Sequence, residues 1–298
     1  MINSSIKHNT PLLPSELILN PDGSIYHLNL LPEDIADDII VVGDQHRVER
    51  ISSFFDKIDV KKEKREFVTH TGWYKGKRIT ALSTGIGCDN IDIVINELDA
   101  IVNIDLHTRK IKETPRKLNI VRLGTSGALQ ADIPVDSFVI SSFGLGFDGL
   151  AQFYTTNFEK DELELQQEFV RQVNWKKELN QPYFVKANHE LLQRLEEGMI
   201  KGITATANGF YGPQGRSLRL APNVPDLNEK LNEFLYKEHR ITNFEMETSA
   251  LYALSSMLGH SAVTVCAIIA NRFTKTFSED YKKTVDKLIE VVLERLVK

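Results

Sequence analysis

Cysteine is scarce, with two in 298 residues, Cys88 and Cys266. That excludes a small secreted scaffold stapled by several bridges, and without C-x-x-C or H-x-x-x-H spacing nothing suggests zinc. Each cysteine lies beside an apolar run and reads as a buried, reduced thiol. Glycine (17) and proline (10) are too few for a fibrous or disordered chain. Long hydrophobic runs are missing: Ala262 to Ala270 falls far short of the roughly 20 apolar residues of a membrane-spanning helix. The first twenty residues lack a basic start followed by an apolar stretch, so no signal peptide is read and a cytoplasmic location is expected. There is no excess of positive charge either. Lys+Arg 36 against Asp+Glu 41 gives a net charge of −5, which argues against a general nucleic-acid binder and leaves room for a local anion site.

What is present is an alternation of strand and helix patterns. Residues 1–24, with Pro11, Pro14 and Pro21, read as an extended arm, and 25–298 as one domain. Ile39 to Val42 is a short apolar run ending at Gly43, which suits a buried strand. Val48, Ile51, Phe55 and Ile58 then recur at helical spacing. Ile79 to Ser83 is a second strand, closing on Gly85-Ile86-Gly87. Asp89 caps a helix with its stripe at Ile91, Val94, Ile95, Leu98, Ile101 and Val102. Ile120 to Leu123 runs as a strand into Gly124-Thr125-Ser126-Gly127, read as a turn. Phe138 to Ile140, Gly202 to Ala207 and Ala262 to Ala270 are further strands. A helix stripe from Met246 to Leu258 ends near Gly259. A last helix after Ser278 turns Tyr281, Val285, Leu288, Ile289, Val292 and Leu296 inward. Two charged segments, 103–118 and 159–177, read as insertions, the first a solvated surface run and the second helical. The alternation predicts an α/β fold with helices on both sides of a sheet.

Several residues stand out chemically. Arg122 sits inside an apolar strand, where a guanidinium needs either an internal carboxylate or a bound anion such as phosphate. Arg47 follows the first strand, and Arg65 lies in Lys64-Arg65-Glu66-Phe67. Each alone reads equally as a surface residue. The glycines and hydroxyls of Gly124-Thr125-Ser126-Gly127 allow close approach of an anion to the main chain. Glu245-Met246-Glu247 offers two carboxylates around an apolar side chain, suited to a diol such as ribose, or else simply to a helix N-terminus. Phe210, Gln214 and Arg216 share one loop. A Phe there can stack on a flat base while Gln and Arg read its polar edge.

Taken in order, these segments resemble the nucleoside phosphorylase family of the trimeric and hexameric type, and within it the uridine phosphorylases. The match is carried by Tyr26-His27-Leu28, Gly43-Asp44 with Arg47-Val48-Glu49, Arg65-Glu66-Phe67, Ser83 to Gly87, Arg122 to Gly127, Phe210-Tyr211 with Gln214-Gly215-Arg216, and Phe244 to Glu247, spanning roughly residues 25 to 272. The resemblance implies a three-layer α/β/α fold with a central mixed, partly barrel-like sheet. It implies a pentosyltransferase of nucleoside salvage or catabolism that needs no metal or cofactor, inorganic phosphate being the co-substrate. Gly43, Arg47, Arg122 and Thr125 would hold phosphate within one subunit, with Arg65 reaching in from a neighbour. His27, also from a neighbour, and Glu245, Met246 and Glu247 would hold ribose. Phe210, Gln214 and Arg216 would hold the base. Arg122, Gln214, Arg216 and Glu247 would carry the catalysis. A homo-oligomer follows, at least a dimer and at most extent the hexamer.

Purine phosphorylases of this family place a Ser-Asp pair after the late strand, to assist protonation at N7. Here that strand ends Ala270-Asn271-Arg272, which favours a pyrimidine. Arg272 is expected to anchor the base loop or extend its network. The sequence departs from the family in the Gly212-Pro213 order, the extra Arg219 and the stretch Ser217 to Leu220, and these leave thymidine or deoxyuridine open as substrates. The family's interface potassium site is matched by Glu66 and Ile86, but Asn90 replaces a serine and no ion is expected. A purine phosphorylase, a nucleosidase and a non-catalytic nucleoside sensor remain as alternatives.

Overall fold

The computed structural model describes residues 10–298. The strands are β1 (Asp38–Val42), β2 (Lys57–Lys64), β3 (Phe67–Tyr74), β4 (Lys77–Ser83), β5 (Ile104–Asp105), β6 (Lys110–Ile111), β7 (Asn119–Ala128), β8 (Phe138–Gly146), β9 (Tyr183–Lys186), β10 (Ile200–Thr206), β11 (Leu235–Tyr236), β12 (His239–Glu245), β13 (Ser261–Asn271) and β14 (Thr276–Phe277). The helices are α1 (Gln45–Ser52), α2 (Cys88–Asn103), α3 (Lys160–Val173), α4 (His189–Leu195), α5 (Leu227–Glu233), α6 (Thr248–Leu258) and α7 (Tyr281–Val297). The main sheet runs β11-β12-β10-β8-β13-β7-β1-β4-β3-β2. Because β12 also pairs antiparallel with β7 through Asn243–Ala128 and Phe244–Gly127, the strands from β12 to β7 close into a ring. The architecture is thus three layers, α/β/α, around a mixed and partly barrel-like sheet.

Burial explains why the strands read as continuous apolar runs. Every residue of β1 is buried, and β13 is buried over most of its length, as expected of strands covered on both faces. The α2 stripe from Ile91 to Val102 is buried as its spacing predicts, although the N-cap is Gly87 rather than Asp89. In α7 the inward set holds except for Tyr281, which is exposed.

Other expectations need correction. The helical spacing through Phe55 and Ile58 fails after Ser52. Lys57–Lys64 is instead a strand with alternating exposure, hairpinned to β3. The spacing of three between Phe55 and Ile58 suits a helical turn, but Phe55 precedes the strand, and from Lys57 onward Ile58 and Val60 alternate with exposed Lys57, Asp59 and Lys61, which decides for the strand. Gly124-Thr125-Ser126-Gly127 is not a turn. It continues β7, paired with β13 from Cys266 to Ala270.

The charged segment 159–177 forms α3 and buries Leu165, Phe169 and Val173 in a second core cluster, where Phe147 stacks on Trp175 at 4.8 Å. Segment 103–118 holds the β5–β6 hairpin, and its arginines do more than meet solvent. Arg109 donates to the carbonyls of Leu12 and Leu17, and Arg116 pairs with Asp37 at 2.5 Å. Of the expected arm, 1–9 lie outside the described residues. Over 10–24 the chain packs on the body, with Leu17 buried and Leu19 bridged to Ile25. Among the described residues no helix is long and apolar enough to cross a membrane.

Candidate active site

The carboxyl ends of β1, β4, β7, β10, β12 and β13 meet around one cavity of about 1110 Å³. Crevices at the carboxyl ends of parallel strands are where backbone amides and loop side chains converge without breaking the sheet. Ten predicted residues line it: Gly43, Arg47, Arg122, Thr125, Phe210, Gln214, Arg216, Glu245, Met246 and Glu247.

At one end stand two arginines. Arg47 reaches back from the first turn of α1 and donates to the Leu123 carbonyl at 3.1 Å. Burial and the neighbouring Arg122 charge push its pKa down, with no carboxylate forming an ion pair with it among the described residues. A crowded, unneutralised cation of this kind attracts an anion. Arg122 is buried within β7 and ion-paired to both Glu245, at 3.2 Å, and Glu247. Burial opposes its charge, but the two carboxylates outweigh that and hold its pKa above the usual arginine value. Of the two readings weighed from sequence, the internal salt bridge is present, and Arg122 also lines the cavity. Cys266 lies beneath the guanidinium, Sγ 3.7 Å from Nη1, and burial pushes its thiol up to about 11. It is an inert packing group, as is Cys88, also buried and free.

Gly124 is required by this packing. A Cβ there would stand 2.1 Å from Arg122 Nη1 and 2.8 Å from Cys266 Sγ. Arg122 cannot swing aside without leaving its carboxylates. Gly124→Ala is therefore expected to destabilise the fold by about 1–3 kcal/mol. Urea denaturation reads this directly, and an unchanged midpoint would refute the contact.

The carboxylates differ in their work. Glu245 accepts from the backbone N–H groups of Glu247, at 3.0 Å, and Thr248, at 3.0 Å, and from Thr206 Oγ1 at 2.7 Å. It ties β12 to the start of α6 and has little capacity left for a ligand. Glu247 accepts from Gly87 N–H at 2.8 Å and from Arg122. Each of its oxygens keeps a lone pair, so it can still take hydroxyl donors.

At the other end Gln214, 3% exposed, is clamped. Arg272 donates Nη1 to its carbonyl and Nη2 to its Oε1, both at 2.6 Å, and Arg216 donates to the same Oε1 at 2.7 Å. Two guanidiniums on one oxygen fix the amide orientation. Arg216 also lies 3.8 Å over the Phe210 ring. Burial and Arg216 push the Arg272 pKa down to about 10. The expected anchoring role of Arg272 is thus met by two contacts.

Arg65 and His27 are not brought to this cavity. Arg65 is exposed in the β2–β3 turn at φ 56°, and His27 lies against Glu97 of α2. They share a surface, since the His27 and Phe67 rings are 6.5 Å apart. Among lining residues that sequence reasoning missed are Gln45, Asn228, Lys275 and Phe277. The last two come from the β13–β14 hairpin, which no periodic signal marked.

The family model described as phosphorylase superfamily matches residues 37–298. The chain belongs to the phosphorylase superfamily. A uridine phosphorylase of Thermococcus kodakarensis is 32% identical over 262 residues, 88% of this chain and 83% of that one. A DeoD-type purine nucleoside phosphorylase of Oceanobacillus iheyensis is 26% identical over 282 residues, 91% of this chain and 99% of its own length. Among solved structures, a Trypanosoma brucei nucleoside phosphorylase described as showing uridine phosphorylase activity superposes with TM-score 0.86 at 31% identity, covering 94% of this chain and 99% of that one. This phosphorylase superfamily chain is accordingly related to uridine and purine nucleoside phosphorylases alike.

Proposed function

We propose that the chain is a pentosyltransferase that cleaves a pyrimidine nucleoside by phosphorolysis, converting uridine and phosphate to uracil and ribose 1-phosphate. The observation that carries the choice of base is the double clamp on Gln214. Because Oε1 already accepts from Arg216 and Arg272, the side chains left to meet a base here are mainly donors. Donors match the carbonyl oxygens of a pyrimidine dione and stabilise the charge they gain as the glycosidic bond breaks. The late strand ends Ala270-Asn271-Arg272 without the Ser-Asp pair of the family's purine enzymes, and Asn271 is spent on structure. It donates to the carbonyls of Gln130 and Ile133 at 2.8 Å each. The relatives named for uridine cleavage support the same choice.

In this reading Arg47, Arg122, Gly43 and Thr125 seat the phosphate dianion, and Glu247 takes the ribose hydroxyls with Met246 against the sugar. Phosphate oxygen attacks C1′ as the bond to N1 of the base loosens, through an oxocarbenium-like sugar. The electron pair leaves with the base. Positioning and fixed charge supply the rate. Arg65 and His27 serve the cavity of a second copy, which makes the working unit at least a dimer.

The deciding assay follows uridine, thymidine and inosine by ultraviolet absorbance, with and without phosphate. The expected result is phosphate-dependent release of uracil faster than hypoxanthine. Release without phosphate would mean a nucleosidase, and binding without turnover a sensor.

A further inference from the structure

His27 is held more tightly than a surface histidine requires. Its ring nitrogen Nδ1 lies 2.6 Å from Glu97 Oε1. The same carboxylate accepts from the backbone N–H groups of His27, at 3.0 Å to each oxygen, and of Leu28, at 2.8 Å. Tyr26 and Phe67 close on the ring edge-on, with centroids 4.8 and 6.5 Å away. Tyr26 is itself pinned by the Lys64 ammonium, 4.4 Å over its ring. The outer nitrogen, Nε2, has no protein partner among the described residues. The Glu97 side chain is 13% exposed and that of His27 27%.

A carboxylate that accepts from two consecutive amides is fixed in place, and the ring bonded to it is fixed in turn. An Nδ1–H donated to a carboxylate sets the tautomer and leaves Nε2 as the outward acceptor. We infer that Glu97 is a positioning residue, which holds His27 with its proton on Nδ1 and offers Nε2 to a sugar hydroxyl in the cavity of a second copy of this chain. The inference rests on the proposed ribose role of His27. Glu97 touches no reacting atom. It acts through the ring.

Two measurements separate the parts. Long-range proton–nitrogen spectra of the nitrogen-15-labelled protein, taken across a pH series and read where the ring carries a single proton, report the tautomer, with His27→Gln assigning the signal. The proton is expected on Nδ1 and is expected to lose that preference in Glu97→Gln. A wild-type proton on Nε2, or a tautomer indifferent to Glu97→Gln, overturns the inference, and the wild-type spectrum decides even if the variant folds poorly. In kinetics, Glu97→Gln should raise KM for uridine about tenfold, the worth of one good hydrogen bond, with a much smaller fall in kcat. It should add nothing in the His27→Gln background. The same rise in that background would mean that Glu97 acts through the fold alone, and overturns the positioning role. If His27→Gln leaves the uridine KM unchanged while the tautomer still follows Glu97, the ribose reading of His27 has failed and the binding role falls with it. That outcome is distinguishable from a failed tautomer result.

Discussion

Arg122→Met should abolish phosphorolysis and weaken the fold together. At sub-saturating phosphate we expect kcat/KM to fall by about 10³-fold or more, since charge-assisted bonds to an anion are the strong kind. The stability loss should be about 3–5 kcal/mol, because removing one partner of a buried pair leaves uncompensated charge. Here two carboxylates are stranded, Glu245 and Glu247, each within ion-pair distance of the guanidinium. Arg122→Met combined with Glu247→Gln should recover part of the stability and none of the activity. Initial rates across a phosphate series, with urea denaturation alongside, test both arms. Wild-type efficiency in the single variant would remove Arg122 from the phosphate site, whatever happened to stability.

Arg272→Ala should lower kcat on uridine by about 10²-fold, the cost of a small misplacement of the Gln214 side chain it anchors, while KM for phosphate changes little. Arg272 holds Gln214 by two separate nitrogens, one on the backbone carbonyl and one on the side chain. A lysine has no fork, so Arg272→Lys should fail to rescue. Arg272→Ala also leaves the Gln214 carbonyl and Oε1 without their Arg272 donors. Its base loop should therefore reorganise rather than stay poised. Steady-state kinetics with uridine and cytidine read the effect as lost discrimination as well as lost rate. Equal kcat for Arg272→Lys and the parent would show that charge alone suffices.

Much of this arrangement was legible in the sequence. The buried strands announced themselves as short runs such as Ile39 to Val42, because both of their faces are covered. Arg122 was visible as a charge inside an apolar strand, and Glu245 and Glu247 as two carboxylates around one apolar side chain. The hairpin from Lys57 to Tyr74 was not, because Phe55 and Ile58 continue a helical spacing by coincidence. Gly124 to Gly127 looked like a turn because glycine clusters usually are. In this chain those glycines sit in a strand that lies close beneath a guanidinium. The clamp of Arg272 on Gln214 spans 58 positions, and no local pattern encodes a contact at that range. The separate uses of Glu245 and Glu247 were equally hidden. Two residues apart, one holds the start of a helix and the other faces the cavity.

The ring closed by β12 on β7 has a consequence for how the protein is made. Arg122 finds its counter-ion 125 positions later in the chain. A ribosome has therefore released the arginine-bearing strand long before the glutamates exist. Contacts of such sequence separation are slow to form, because loop-closure entropy is lost before any contact repays it. Until β12 and β13 arrive, β7 presents an open edge and a charged side chain without a partner, the state most exposed to mispairing and to chaperone capture. The ring needs β13 as well, so a chain cut short before Ser261 cannot close it, and one cut short before Glu245 also lacks both carboxylate partners of Arg122.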